Sequence, residues 1–199
     1  MDGNDWLEEI KLLYRQYKKN CERAAAQVSD YDFFTTFGQN PNSVAVIMKH
    51  VGGNNRSRWH DFLTTDGEKR DRNRESEFIA EGEGRSSIYE QWEEGWRIAF
   101  ETLESLEPAD LEKKVTIRGQ THSVVQAIQR NLNHVVYHTG QIVQLARHFT
   151  GDAWQTLSIA PGKSEEHNAA MRAKYGDWWA DELSKETEDS ELRMKSKCY

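Results

Sequence analysis

Apolar side chains recur at helical spacing through four long windows that none of the 3 prolines interrupts, and this periodicity limits the chain to a helical fold. A first helix over about residues 5–29 places Trp6, Ile10, Leu13 and Tyr17 on one face. A second opens after Asn40-Pro41, where Asn42 or Ser43 can cap its free amides. It runs through Val44, Ile47, Val51, Arg58 and Phe62 until Asp66-Gly67. A third carries Ile88, Trp92, Ala99, Leu103 and Leu106 inward and closes at Pro108. The fourth, capped by Thr121 or Ser123 and stopped by Gly151, buries Val124, Ile128, Val135, Ile142, Leu145 and Phe149.

Four amphipathic helices of this length pack most simply as an all-α four-helix bundle. Val115 to Gly119 alternates like a short strand, so an extended element precedes the last bundle helix. The charged, glycine-rich stretch 66–85 reads as one long connection. Met171, Tyr175, Trp178 and Trp179 mark a C-terminal helix, with Trp178 and Trp179 as candidates for an interface. Residues 1–185 are expected to form a single domain, followed by a charged, flexible tail over 186–199.

Composition narrows the function. The formal charge of −7, with Lys and Arg interspersed among acids, argues against nucleic acid as a partner. No basic leader with an apolar core opens the sequence and no apolar run reaches spanning length, so a cytoplasmic protein without membrane association is expected. The 2 cysteines, Cys21 and Cys198, offer neither a disulfide framework nor a thiolate metal site.

Histidine and oxygen ligands remain, and the sequence supplies a pattern for them. His134 and His138 stand at i and i+4, so both rings can reach one point beside the helix. Two imidazoles bind a metal weakly, and His50, beside Ile47 and Val51 on the second helix, is the best placed third. His60 points away from that stripe and His122 sits at a helix start; these two, with His148 and His167, read as surface or capping residues. Three neutral imidazoles leave coordination positions open, as in a catalytic rather than a closed site. The plainer alternative is three rings that hydrogen-bond neighbouring helices beside the core.

Asn54, Asn131 and Gln141 lie at helical spacings from these histidines that could supply the hydrogen bonds which orient metal-bound rings, with Asn54, one turn after His50, the first choice. Arg58 falls in line with Val51 and Phe62, so it must pair with an acid such as Asp66 or Glu77 or reach into a cavity, where it could bind an anion. Arg70, Arg72 and Arg74 alternate with Asp71, Asn73 and Glu75 in the manner of a solvated loop.

The run Asn133-His134-Val135-Val136-Tyr137-His138-Thr139-Gly140-Gln141-Ile142 resembles the fourth-helix signature of the DinB-like superfamily, the damage-inducible metalloproteins that include bacillithiol and mycothiol S-transferases. Lys49-His50-Val51-Gly52-Gly53-Asn54, with Ser57-Arg58-Trp59 and Thr65-Asp66-Gly67-Glu68-Lys69, resembles a subgroup described only as of unknown function. The resemblance implies a four-helix bundle and a divalent metal (nickel, zinc or iron) on His50, His134 and His138. It also implies a low-molecular-weight thiol as a possible cofactor, and often a homodimer. The functions expected are a metal-dependent thiol S-transferase or hydrolase acting on a small molecule, or, from another class, a non-catalytic metal-binding protein whose ion pins two helices together.

Overall fold

The computed structural model describes residues 2–39 and 42–176. Two compact units, Met1–Gln155 and Thr156–Tyr199, are distinguished. The first holds helices α1 (Gly3–Ala25), α2 (Asp30–Phe34), α3 (Val44–Trp59), α4 (Arg85–Ser105) and α5 (Val124–Thr150), with a hairpin of β1 (Lys114–Ile117) and β2 (Gln120–Ser123) before α5. The second contains α6 (Ser164–Tyr175). Trp178, Trp179 and the 186–199 tail lie outside the described residues. Among the described residues no helix is long and apolar enough to cross a membrane.

Three of the four long helices start where a side chain can satisfy free amides, whereas α4 starts at Gly84 with no side-chain cap. Asp2 accepts from the Asp5 amide at α1, Ser43 from Val46 at α3, and Ser123 and Gln126 form a reciprocal capping box at α5. The α1 stripe is rotated from the one expected: Leu7, Ile10, Tyr14 and Cys21 are buried, while Trp6, Leu13 and Tyr17 sit at its flank. Spacings of three and four admit both stripes, and Tyr14 takes the deep position because its hydroxyl has buried acceptors in the Ile128 carbonyl (3.0 Å) and Asn131 (2.9 Å). The second long helix stops at Trp59, nearly two turns before the expected end at Asp66-Gly67, and Asp61 just beyond it adopts φ +46°. Phe62 is buried nonetheless, packing 5.0 Å from the Trp59 ring.

The core lies where α1, α3, α4 and α5 meet. Tyr14 makes edge contacts with Trp59 at 5.7 Å and Trp96 at 6.1 Å, and Ile88, Trp92, Ala99, Leu103, Val124, Ile128, Val135, Ile142 and Leu145 fill the rest. Phe149 remains half-buried at the α5 end. α3 and α4 approach to backbone contact at two glycines: a Cβ on Gly95 would lie 2.2 Å from the Gly52 carbonyl oxygen, and one on Gly52 2.7 Å from that of Gln91. Alanine at either place would force the helices apart.

The hairpin pairs Lys114 with Ser123 and Ile117 with Gln120. Its two-residue turn, Arg118-Gly119, has φ of +55° and +75°, as the right-handed twist of the strands demands. Asp66 holds the turn against the long connection: its carboxylate accepts from the amides of Glu68, Arg118 and Gly119 at 2.7 to 2.8 Å. Desolvation would raise the Asp66 pKa, but these donors outweigh it and hold the carboxyl down to about 2.

Candidate metal centre

α5 carries His134 and His138 one turn apart, and α3 brings His50 to face them. The Nε2 atom of His134 lies 3.1 Å from Nε2 of His50 and 3.1 Å from Nε2 of His138. The three ligand atoms all fall within 4.8 Å of one another, on buried or half-buried side chains. Phe78 stacks on the His50 ring at 4.8 Å and walls one side.

The outer nitrogens of two rings have partners that favour a proton on Nδ1. His50 Nδ1 lies 2.8 Å from Glu77 Oε2, and a carboxylate only accepts, so Nδ1 carries a proton, and in the neutral ring Nε2 is then a lone pair. His138 Nδ1 lies 2.7 Å from Gln141 Oε1, while the Gln141 amide nitrogen donates to the Tyr137 hydroxyl at 3.2 Å; His138 Nε2 is therefore also a lone pair. A proton on His134 Nε2 could serve one of these neighbours but not both, and His134 Nδ1 is buried without a partner among the described residues. Neutral rings leave at least one of these two contacts without a donor, and a cation at their focus would turn both favourable. The residues thus fit a divalent ion with three histidine ligands.

Electrostatics agree. Burial, followed by the neighbouring His138 and His50 rings and the Arg58 and Arg72 charges, lowers the His134 pKa to about 3. Burial and then His50 lower that of His138 to about 4, against the opposing hydrogen bond to Gln141. Both rings are neutral at pH 7, the form a metal requires. Burial alone would raise the Glu77 pKa, but hydrogen bonds from His50 and Arg72 hold that carboxyl below its usual range, so it stays an acceptor.

Glu77 is the residue that sequence spacing did not find. Its carboxylate accepts from Arg72 at 2.7 and 2.8 Å as well as from His50, and the Arg72 side chain is only 5% exposed. The connection is therefore no solvated loop at this point. It folds back on α3 because the two charges neutralise each other there and because Gly53 leaves room: a Cβ on Gly53 would lie 2.5 Å from Glu77 Oε1. Paired glycines at 52 and 53, just past His50-Val51 and each costing a helix about 1 kcal/mol, were the available signal for such an approach.

The other expected site residues divide. Gln141 orients His138. Asn54 and Asn131 bond each other rather than a histidine: Asn131 Nδ2 donates to Asn54 Oδ1 at 3.1 Å, and Asn131 Oδ1 accepts from Tyr14 and from the Trp59 indole at 3.1 Å. Arg58 donates to the Gly67 carbonyl and pairs with Glu68 at 3.2 Å, not with Asp66 or Glu77. His50, His134, Asn54, Asn131 and Arg58 all line one cavity of about 190 Å³. His60 is exposed beside Asp61, His122 lies on β2, His148 packs on Phe37 at the far end of α5, and His167 is on α6. Cys21 is buried, its thiol pushed up to about 12 by desolvation, which makes it a poor nucleophile.

No curated protein and no solved structure matches the chain. The family model described as "Protein of unknown function (DUF1572)" matches residues 2–163, a span that includes α1 to α5 and all three histidines, and the chain belongs to that family.

Proposed function

We propose that the chain is a metal-dependent enzyme of DinB-like type, with α1, α3, α4 and α5 as its four-helix bundle and His50, His134 and His138 as the ligands of a divalent ion. The observation that carries this reading is the convergence of three Nε2 atoms, two of them with their outer nitrogens locked as proton carriers by Glu77 and Gln141. Bound there, nickel, zinc or iron supplies Lewis-acid stabilisation of an anion and lowers the pKa of a thiol or water. Glu77 and Gln141 keep the protons on Nδ1 of His50 and His138, and Arg72 keeps Glu77 ionised. Phe78 covers one side of the His50 ring and limits water there. With Cys21 inert, the nucleophile comes from outside the protein, as a low-molecular-weight thiol or a water.

A cavity lined by two of the three ligands favours catalysis over a purely structural ion, because a structural site closes around its metal. The reading extends to a small-molecule substrate and a cytoplasmic homodimer. Mass spectrometry of metal in protein purified without chelator tests it, alongside His138→Ala and assays of thiol addition and ester or amide hydrolysis. One ion per chain, with turnover lost in a folded His138→Ala variant, supports the enzyme. An unfolded variant supports the structural ion, and absence of metal even after titration removes both.

A further inference from the structure

The cavity beside the triad has a composition at odds with the rest of the molecule. The whole chain is acidic, at −7, yet Arg58, Arg72, Arg74, Arg118 and Arg130 line this one space and no Asp or Glu does. The carboxylates that pair with these arginines stand outside the lining: Glu68 meets Arg58, Arg72 and Arg118, Glu77 meets Arg72, and Glu75 meets Arg74. Arg130 makes no ion pair among the described residues. Burial, with the smaller effects of Arg72 and Arg118, lowers the Arg58 pKa although Glu68 opposes it.

Arg118 adds an independent observation. It occupies the first turn position of the hairpin at φ +55°, where asparagine, aspartate or glycine is the favoured choice and a long side chain is strained. Asp66 grips the backbone amides of this turn, so the guanidinium is carried on a fixed support at the cavity wall. A strained residue held by its surroundings at the rim of a site points to a use for its side chain.

We propose that this cavity binds a small organic oxoanion, with its carboxylate or phosphate group held by Arg118 and Arg130 and its remainder directed to the His50 and His134 side. Guanidinium forks match the two oxygens of either group. The volume of about 190 Å³ is below that of pockets enclosing drug-sized ligands, typically roughly 300–1,000 Å³, so the ligand is small. The reacting end rests on the metal reading above, whereas the anion grip stands on the arginines alone.

Calorimetric titration of the full chain, with metal content measured on the same samples, separates the two. The probes are succinate and methyl phosphate, with succinamide as the neutral control. Expected are binding of at least one anion, none of succinamide, and affinity lowered about tenfold by Arg118→Asn and by Arg130→Gln, with metal content unchanged. Arg118→Asn places a favoured residue in the turn, so its melting temperature should hold or rise while anion binding falls. The stronger of the two probes identifies the head group. Metal-loaded protein that binds neither anion better than succinamide overturns the proposal while leaving the metal reading intact. Equal affinity in wild type and both variants overturns it too. Protein that takes up no metal even on titration, yet still binds anions through Arg118 and Arg130, keeps it and removes the metal reading instead.

Discussion

Two buried polar clusters lie on α3 and α5, and they differ in whether their hydrogen bonds close. Around Asn131 donors meet acceptors: the Tyr14 hydroxyl and Trp59 indole donate to its oxygen, and its nitrogen donates to Asn54. Around His134 acceptors meet acceptors, two bare Nε2 atoms at 3.1 Å from a third nitrogen that can serve only one. Both polar atoms of Asn131 are paired and tie α1, α3 and α5 together, although the Nδ2 of the neighbouring Asn55 is buried without a partner among the described residues. With neutral rings the second is left short of a donor, a gap that a cation at the three nitrogens could fill. Burial penalises both, so the mismatch, rather than polarity itself, separates a binding site from a structural network.

The largest expected effect separates them by metal. His50→Ala with His138→Ala should lower metal content from one ion per chain to none, and abolish any rise in Tm on metal addition. Asn131→Ala should leave that stoichiometry in place. Retention of metal by the double histidine variant would break the contrast.

Next is acid sensitivity of chelator-treated protein. His134 and His138 titrate near their ordinary 6.5 when unfolded but at about 3 and about 4 when folded, so below pH 6.5 the unfolded chain binds more protons. Their neutral burial is compatible with full stability above pH 6.5, and stability falls as pH drops toward 3, by on the order of several kcal/mol. Denaturant midpoints across pH 7 to 4 measure this. The double histidine variant should flatten the dependence, and Asn131→Ala should not.

Asn131→Ala itself should cost about 2–4 kcal/mol in urea unfolding, because it leaves the Trp59 indole unpaired and opens a cavity. A cost below about 0.5 kcal/mol, the range of ordinary surface substitutions, would show that the network holds nothing together.

The finest test concerns orientation. Glu77→Gln keeps the shape but removes the charged acceptor of His50, and should weaken metal binding by about 10–100-fold without removing it. Arg72→Gln should act in the same direction more weakly, since Glu77 retains His50. Unchanged metal affinity in Glu77→Gln would mean that ring orientation is fixed by packing on Phe78.

The parts of the site that a helix writes in its own periodicity were legible from the residues. His134, His138 and Gln141 follow from turns of one helix, and the α5 ends follow from Ser123 and Gly151. The partner of His50 was not, because Glu77 lies 27 positions away in a connection whose alternating charges look the same in a solvated loop and in a buried ion pair. Asn54 illustrates the opposite error: its spacing suits His50, but a better donor, Asn131, arrives from another helix. In α1 the periodicity allowed two stripes, and the acceptors that chose Tyr14 lie on α5.

By itself the sequence determined the helices, their caps and the histidine pair, because these depend on side chains within four residues of one another. Only the tertiary structure decided that Glu77 would orient His50, that Asn131 would close its own network, and that arginines from α3, the connection, the hairpin and α5 would share one cavity. Those outcomes depend on which charges and amides meet across elements, and on glycines that permit the approach. Pairing over such distances is fixed by packing, which no local pattern encodes.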